Sequence, residues 1–342
     1  KVALNGLLDD KLDFNESEVR NHAKDLTEFG FLSVQPGGSS KLRQTLHYAF
    51  LHKSFQEFFA AFFICSQIQN KKITPAELVS DPRYFVKLKQ VLLFSRGILA
   101  MKCEEQVVAL VKSLTNEVNK NGGRGTSVLL EAINECKREK DDFHSQLAKL
   151  FGTGLKLTSL HFLNNRVGDA GVTSIAEAIK VNKTLTDLKL SWNGFGDADA
   201  TCIAEAIKVN KTLIHLFLSG DGIGDVGASS IAEAIKVNKK LKNLFLSSNG
   251  IGDAGATSIA EAIKVNKTLT NLQLFYIRIS DAGATSIAEA IKVNKTLTNL
   301  NLSGNGIGDA GATSIAEAIK VNKTLTNLNL SCDGVGDAGA TS

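Results

Sequence analysis

The chain has 342 residues, with 39 Lys+Arg against 35 Asp+Glu for a net charge of +4, and its mean hydropathy is +0.01. That length allows two or three domains with cores of their own, and so small a charge gives no bulk electrostatic reason to expect nucleic acid or a membrane surface as partner. The longest apolar run, Phe58–Cys65, covers eight residues, too few to span a bilayer.

Five cysteines (Cys65, Cys103, Cys136, Cys202, Cys332) are scattered and without metal-ligand spacing. The pattern suggests neither a disulfide framework nor a zinc site and favours a reducing compartment. The sequence begins at Lys1, holds its only methionine at Met101 and stops at Thr341-Ser342 partway through a repeat. It is therefore expected to be a piece of a longer protein, whose targeting signals would lie elsewhere.

Along the chain, Asn15-Glu16-Ser17-Glu18 reads as a capping box opening a short helix. Phe29–Val34 and Leu42–Leu51 read as two strands around Pro36-Gly37-Gly38, a hairpin with a polar tip. Ser54-Phe55-Gln56-Glu57 is a second capping box. Phe55, Phe58, Phe59, Phe62 and Phe63 follow it at i, i+3, i+4, i+7 and i+8, the spacing of a core-facing helical stripe. Helix, hairpin and helix suggest a winged-helix unit over residues 1–70. Further helices, one opening at Thr74-Pro75-Ala76-Glu77 and others near 83–100, 104–119 and 127–150, make a helical domain over 71–154. Between them, Asn121-Gly122-Gly123-Arg124-Gly125 lacks the Gly-Lys-Ser/Thr ending of a phosphate loop, so nucleotide is not expected there.

From residue 155 onward a repeat takes over. Ile-Ala-Glu-Ala-Ile-Lys-Val-Asn-Lys begins at Ile175 and returns at Ile203, Ile231, Ile259, Ile287 and Ile315, 28 residues apart each time. The copies are accompanied by the pattern Leu-x-x-Leu-x-Leu-x-x-Asn, as in Leu185, Leu188, Leu190 and Asn193. Period and pattern mark a leucine-rich repeat, one strand and one helix per turn. Residues 155–342 closely resemble the ribonuclease-inhibitor-like subclass. The fold class expected is α/β, a horseshoe with parallel strands inside and helices outside, preceded by a mostly helical region. Within the repeat, Leu188 and Leu190 face inward, and Ile175, Ala178 and Ile179 form the helix's inner stripe. Asn193 is expected to build a ladder off the sheet, Asp169 and its equivalents to be helix N-caps, and Asn182 to be a left-handed C-cap. The fifth repeat departs, with Ile277 at the Asn position, Ser280 for Gly, and Phe275-Tyr276 for small polar residues.

The copies also serve as their own comparison. The helix block is invariant, so departures carry the information, and they gather on the strand. Its central outward position reads His161, Lys189, Phe217, Phe245, Gln273, Asn301 and Asn329. Just beyond it come Asn164, Trp192, Gly220, Ser248, Tyr276, Gly304 and Cys332. Phe217 and Phe245 share a register one repeat apart and should be neighbours. We assign His161, Lys189, Trp192, His215, Phe217, Phe245, Gln273, Phe275 and Tyr276 to a ligand-binding concave face. Asn-Lys-Thr sequons at Asn182, Asn210, Asn266, Asn294 and Asn322 point the other way, to a secreted repeat receptor, but stem from one duplicated unit. Nothing forms a catalytic set, so no enzymatic activity is expected.

One segment carries a more specific resemblance. Tyr48-Ala49-Phe50-Leu51-His52-Lys53-Ser54-Phe55-Gln56-Glu57-Phe58-Phe59-Ala60-Ala61 resembles the winged-helix signature of animal NOD-like receptors. In that family a nucleotide-binding NACHT region precedes the winged helix, a helical domain and leucine-rich repeats. The resemblance implies a cytoplasmic receptor's sensor half, autoinhibitory contacts with the NACHT region, and a protein or microbial ligand on the concave face. It also implies ADP or ATP in the full-length receptor, with His52 against the ADP phosphates, and no cofactor in this part. His22, His47 and His144 show no partner pattern and read as surface or packing residues. The alternatives are a free-standing ribonuclease-inhibitor-like scaffold or inhibitor, and an extracellular repeat receptor.

Overall fold

The computed structural model describes residues 1–9, 13–15, 19, 27–28, 31–36, 46–50, 52–134, 136, 142–162 and 168–341. Two compact units emerge, Lys1–Glu117 with Glu131–His144, and Val118–Leu130 with Ser145–Ser342.

The first unit holds helix α1 (Val2–Leu8) and strands β1 (Asp13–Asn15), β2 (Leu32–Pro36) and β3 (Leu46–Phe50). They form an antiparallel sheet in the order β1-β3-β2. The expected hairpin partners do pair, Leu32 with Phe50 through Pro36 with Leu46. The hairpin tip at Gly37-Gly38, the capping box at 16–18 and the histidine His22 lie outside the described residues. Asp13–Asn15 is the sheet's third strand.

Helix α2 (Lys53–Gln69) follows. Its N-cap is His52 rather than Ser54: the Ser54 backbone N–H donates to His52 Nδ1 at 3.1 Å. The phenylalanine stripe is not its core face. Gln56, Ala60, Ala61, Ile64, Cys65 and Ile68 are buried, whereas Phe55, Phe58 and Phe62 are exposed. Small residues win the interior because α2 packs closely on helix α4 (Lys89–Lys102), near enough for Cys65 Sγ to donate to the Ser95 carbonyl at 3.0 Å. The rings lie one step round the helix and meet one another edge-on, as Phe58 does Phe59 and Phe94.

Thr74 caps helix α3 (Pro75–Val79) with a full capping box to Glu77 and Pro75 in the first turn. Helix α5 (Glu104–Lys120) carries acids in its first turn and Lys120 in its last, matching the helix dipole. The single helix expected over 127–150 is two, α6 (Thr126–Asn134) and α7 (Phe143–Gly154). The glycine loop before them is a turn: Gly122, Gly123 and Gly125 all take positive φ.

The second unit is the repeat array. Its strands β4 (Ser159–His161), β5 (Asp187–Lys189), β6 (His215–Phe217), β7 (Asn243–Phe245), β8 (Asn271–Gln273), β9 (Asn299–Asn301) and β10 (Asn327–Asn329) form one parallel sheet in chain order. Register is fixed at 28 residues, Leu160 beside Leu188 beside Leu216 and onward, because each central leucine must enter the same apolar layer. Behind each strand lies one helix: α8 (Gly168–Val181), α9 (Asp197–Val209), α10 (Asp225–Val237), α11 (Asp253–Val265), α12 (Asp281–Val293), α13 (Asp309–Val321) and the short α14 (Asp337–Ala340). Their Ile and Ala stripes are buried against the strand leucines. Helix α7 closes the first repeat. Gly152 lies so close to the Ala178 backbone that no side chain fits there, and Phe151 is 1% exposed.

Three ladders run between repeats. Asn249 Nδ2 donates to the Leu218 and Leu246 carbonyls, both at 2.8 Å, which is the expected asparagine ladder. The N-caps, however, are Gly196, Gly224, Gly252, Ser280, Gly308 and Gly336, not the aspartates. Each aspartate caps the following repeat: Asp197 Oδ1 accepts from Gly224 N at 2.7 Å and Gly227 N at 2.9 Å. Likewise the sequon asparagines are not left-handed caps where φ is defined. Asn210 sits at φ −67°, and its Nδ2 donates to Ile179 O of the preceding repeat while Oδ1 accepts from Thr212 N and Leu213 N.

Candidate binding face of the repeat array

Because strands β4 to β9 bury their central leucines, their first and third residues face away from the helices. These make two rows across the sheet. The third-position row holds the most concentrated feature. Phe217 and Phe245 stack with centroids 4.1 Å apart and planes 12° from parallel, and Lys189 Nζ sits 5.2 Å from the Phe217 ring centroid. A cation capping two stacked rings joins apolar area to a directed charge. Both rings are half-buried, largely by each other and the flanking rows.

The first-position row supplies polar neighbours. His215 Nδ1 lies 2.8 Å from Asn243 Nδ2, and His215 Nε2 lies 3.9 Å from Asp187 Oδ1. Gln273 is braced from both sides, donating to Asn271 Oδ1 at 2.7 Å and Asn299 Oδ1 at 3.2 Å. From β7 to β10 both rows carry amides and one aromatic ring, with no charge. His161 stands at the other end, its Nε2 2.8 Å from Ser159 Oγ.

Trp192 and Tyr276 are 59% and 60% exposed on the rim, both at positive φ (63° and 51°). A bulky residue in that region is strained, and its glycine neighbour accommodates it. A Cβ on Gly220 would overlap the Trp192 ring, and one on Gly304 would overlap Tyr276. Each ring therefore lies flat over the next repeat's turn. Phe275 meets Tyr276 edge-on at 5.8 Å. In the same fifth repeat, Ile277 is buried at 6% exposure and Ser280 caps its helix, with Oγ donating to Asp253 Oδ2 at 2.6 Å. Burial raises the Asp253 carboxyl, yet the bonds from Ser280 and Gly283 bring it net below its ordinary value. The repeat has thus been repacked inside while gaining two rings outside.

Sequence reading missed two residues at the asparagine-ladder position, Asp221 and Asp333. Asp221 Oδ1 accepts from the Asn193, Gly194 and Phe195 N–H groups. Its Oδ2 is buried with no hydrogen-bond partner, as is Asp333 Oδ2. Burial pushes both carboxyls up. An Asp at a position that reads Asn in sister repeats was the available signal.

His52 belongs to the first unit. With Nδ1 accepting from Ser54 N–H, the exposed Nε2 carries the ring proton. His144 is half-buried, and His47's side chain lies outside the described residues. No group of metal-ligand side chains occurs among the described residues, and no helix there is long and apolar enough to cross a membrane.

Geometry, register and period define a class, and comparison with known proteins gives the same one. The family described as Leucine Rich repeat matches residues 155–176, 181–204, 209–232, 237–260, 293–316 and 321–342. The matched stretches are leucine-rich repeats. The unmatched stretch between residues 260 and 293 is the fifth repeat, where Phe275, Tyr276, Ile277 and Ser280 depart from the pattern. Among solved structures, the chain is similar to one titled Leiomodin-1 Actin-Binding Site 2, at 28% identity and TM-score 0.35 over 37% of this chain and 76% of the other. It is also similar to the tropomodulin C-terminal domain of Caenorhabditis elegans, at 17% identity and TM-score 0.35 over 39% and 81%. No curated protein matches it.

Proposed function

We propose that the repeat array is a protein-binding module whose contact centre is Lys189, Phe217 and Phe245, within the sensor half of a cytoplasmic NOD-like receptor. The observation that carries the binding face is the stacked pair under a cation. Aromatic and cationic anchors in a half-buried cluster are the composition of interaction hot spots. The outer helices offer no such discrimination, since Lys208 and Lys236 are neutralised by Glu205 and Glu233 three residues earlier, both at 2.5 Å. No catalytic role is assigned to this part of the protein.

The receptor assignment rests on the Tyr48–Ala61 signature and on the order of helical region before repeats. In it, His52 would donate from Nε2 to an ADP phosphate held by the upstream region, and residues 1–70 would act as the winged helix. The sequons bear on the extracellular alternative. The sequon asparagines are 4–9% exposed, with Nδ2 spent on backbone carbonyls, as in Asn294 to Ile263 and Asn322 to Ile291. A glycan on that nitrogen would displace a ladder bond.

The test is affinity capture with quantitative mass spectrometry on the immobilised chain. Partners should be lost with Phe217→Ala/Phe245→Ala and retained with Lys208→Ala/Lys236→Ala. Identical capture by the phenylalanine variant and the wild type would refute the face assignment.

A further inference from the structure

The edge of the array where helices return to strands carries one lysine per repeat after the ladder asparagine: Lys183, Lys211, Lys239, Lys267, Lys295 and Lys323. In four repeats the sequence there is Lys-Thr-Leu-Thr (183–186, 267–270, 295–298, 323–326), and in one it is Lys-Thr-Leu-Ile (211–214). Only one repeat reads Lys-Lys-Leu-Lys, at 239–242. In some repeats the threonines at these two positions bond to backbone. Thr184 Oγ1 donates to the Leu155 and Leu157 carbonyls at 3.0 Å, and Thr186, Thr298 and Thr326 donate to the preceding repeat at 3.0–3.1 Å. Lys240 and Lys242 forgo both bonds and add two charges at one place. A duplicated unit that departs from its sister repeats at two nearby positions, each time to the same charge, marks a functional position rather than drift.

Geometry turns that charge into a site. Lys239, Lys240, Lys242 and Lys267 line a cleft of about 530 Å³, with Ile214, Thr268, Thr270 and Thr296 completing it. No carboxylate lines it, and among the described residues none of the four ammonium groups pairs with one. The helix lysines differ: Lys264 and Lys292 are held by Glu261 and Glu289 at 2.6 and 2.7 Å. Thr270 Oγ1 is already committed to the Lys242 carbonyl at 3.2 Å. What the cleft offers a ligand is therefore ammonium groups on flexible stems, suited to several anionic oxygens in no fixed plane.

We propose that this cleft binds a small, soluble polyphosphorylated ligand bearing three or more phosphate groups. Four unpaired ammonium groups around one cleft match that charge. Its lining holds no aromatic side chain to stack a base. This site is separate from the concave aromatic face and does not depend on it.

The test is calorimetry on the full 342-residue chain at physiological salt, with inorganic tripolyphosphate as the probe. One tripolyphosphate should bind per chain, and orthophosphate at least about a hundredfold more weakly. Lys240→Thr/Lys242→Thr restores the sister repeats' own residues, so it should keep the circular dichroism spectrum and melt no lower. It should nonetheless lose about tenfold or more in affinity, as expected on removing charged donors. Lys295→Ala/Lys323→Ala takes the same charge from the same edge outside the cleft and should change affinity less than about twofold. The proposal is overturned by absence of stoichiometric tripolyphosphate binding, by equal losses in the two lysine pairs, or by tighter binding to phosphatidylserine vesicles than to the soluble probe.

Discussion

Asp221→Asn should stabilise the array at neutral pH. In the wild type, Asp221 Oδ2 is buried without a partner, at the position from which Asn249 Nδ2 reaches two carbonyls at 2.8 Å in the next repeat. By the repeat register, the carbonyls that Asp221 faces are those of Leu190 and Leu218. Asn193 and Asn249 already donate to these two, so Asp221 can only bring a third oxygen toward them. Asparagine would keep the accepting Oδ1 that holds Asn193, Gly194 and Phe195 N–H, and would replace the buried oxygen with a donor. An unsatisfied buried polar atom costs about 1–3 kcal/mol, and each kcal/mol moves the melting temperature of a unit this size by about 2–4 °C. The gain must also depend on pH. Burial raises the Asp221 carboxyl in the folded state, so the folded chain binds this proton more tightly than the unfolded one. The stability of the protonated form is fully present below the unfolded value near 3.8 and is lost as pH rises through the raised folded value. The advantage of Asp221→Asn should therefore be largest at neutral pH and shrink toward pH 4. Urea unfolding of both proteins at pH 7 and pH 4.5 measures this. A variant no more stable at pH 7, or a difference that grows on acidification, refutes the reasoning.

Further outcomes follow from the same geometry. Phe217→Ala/Phe245→Ala should cost less than about 1.5 kcal/mol in urea unfolding, since the rings stack on each other outside the leucine core, while a partner bound there loses at least about 2 kcal/mol by titration. Gly220→Ala should destabilise the wild type both through its positive φ of 72° and by overlap with the Trp192 ring, and cost less after Trp192→Gly, where only the backbone strain remains; additive effects in that double-mutant cycle would contradict the stacking. In a full-length receptor, His52→Ala should raise ligand-free reporter signalling, but it also removes a helix cap worth about 0.5–2 kcal/mol. His52→Asn retains a capping oxygen, so elevated signalling in both variants supports the phosphate contact, and elevation in His52→Ala alone assigns the histidine to capping only.

The repeat was legible because its signal is periodic. Leucines returning every 28 residues leave one register that brings them into a single layer, and the same period makes Phe217 and Phe245 neighbours. What escaped was the partner of each cap. A sequence shows Asp197 beside Gly196 and suggests local capping, whereas the carboxylate reaches 27 residues onward to Gly224. Likewise Asn210 reads as a helix terminator but acts through its side chain on Ile179 of the previous repeat. The first unit failed differently. Its phenylalanine spacing is helical, as expected, but period alone does not say which stripe faces inward. Close helix packing chose Ala60, Ala61, Ile64 and Cys65 over the larger rings.

Inter-repeat capping constrains the turn positions behind the sheet, while the sheet face varies. From the third repeat onward the aspartate and the glycine two residues after it are tied to the neighbouring repeat, as Asp225 is to Gly252 and Gly255. Gly227 is an example: a Cβ there would crowd both Asp197 Oδ1 and Ala200 Cβ of the preceding repeat. A change in one repeat must be matched in the next, so the positions behind the sheet are coupled along the whole array. The strand's outward residues carry no such obligation, because their backbone bonds are made whatever the side chain. Substitution is therefore cheapest where a partner can read it. The one repeat that altered its interior, with Ile277 and Ser280, kept a working cap through Ser280 Oγ on Asp253 and placed Phe275 and Tyr276 on the rim in the same stretch of chain. Coupled interior change and new exposed rings in that single repeat make it the place where the array's two faces are linked: restoring the repeat consensus at Ile277 and Ser280 should alter the rim geometry of Tyr276, whereas Phe217 and Phe245 can change without disturbing a ladder bond.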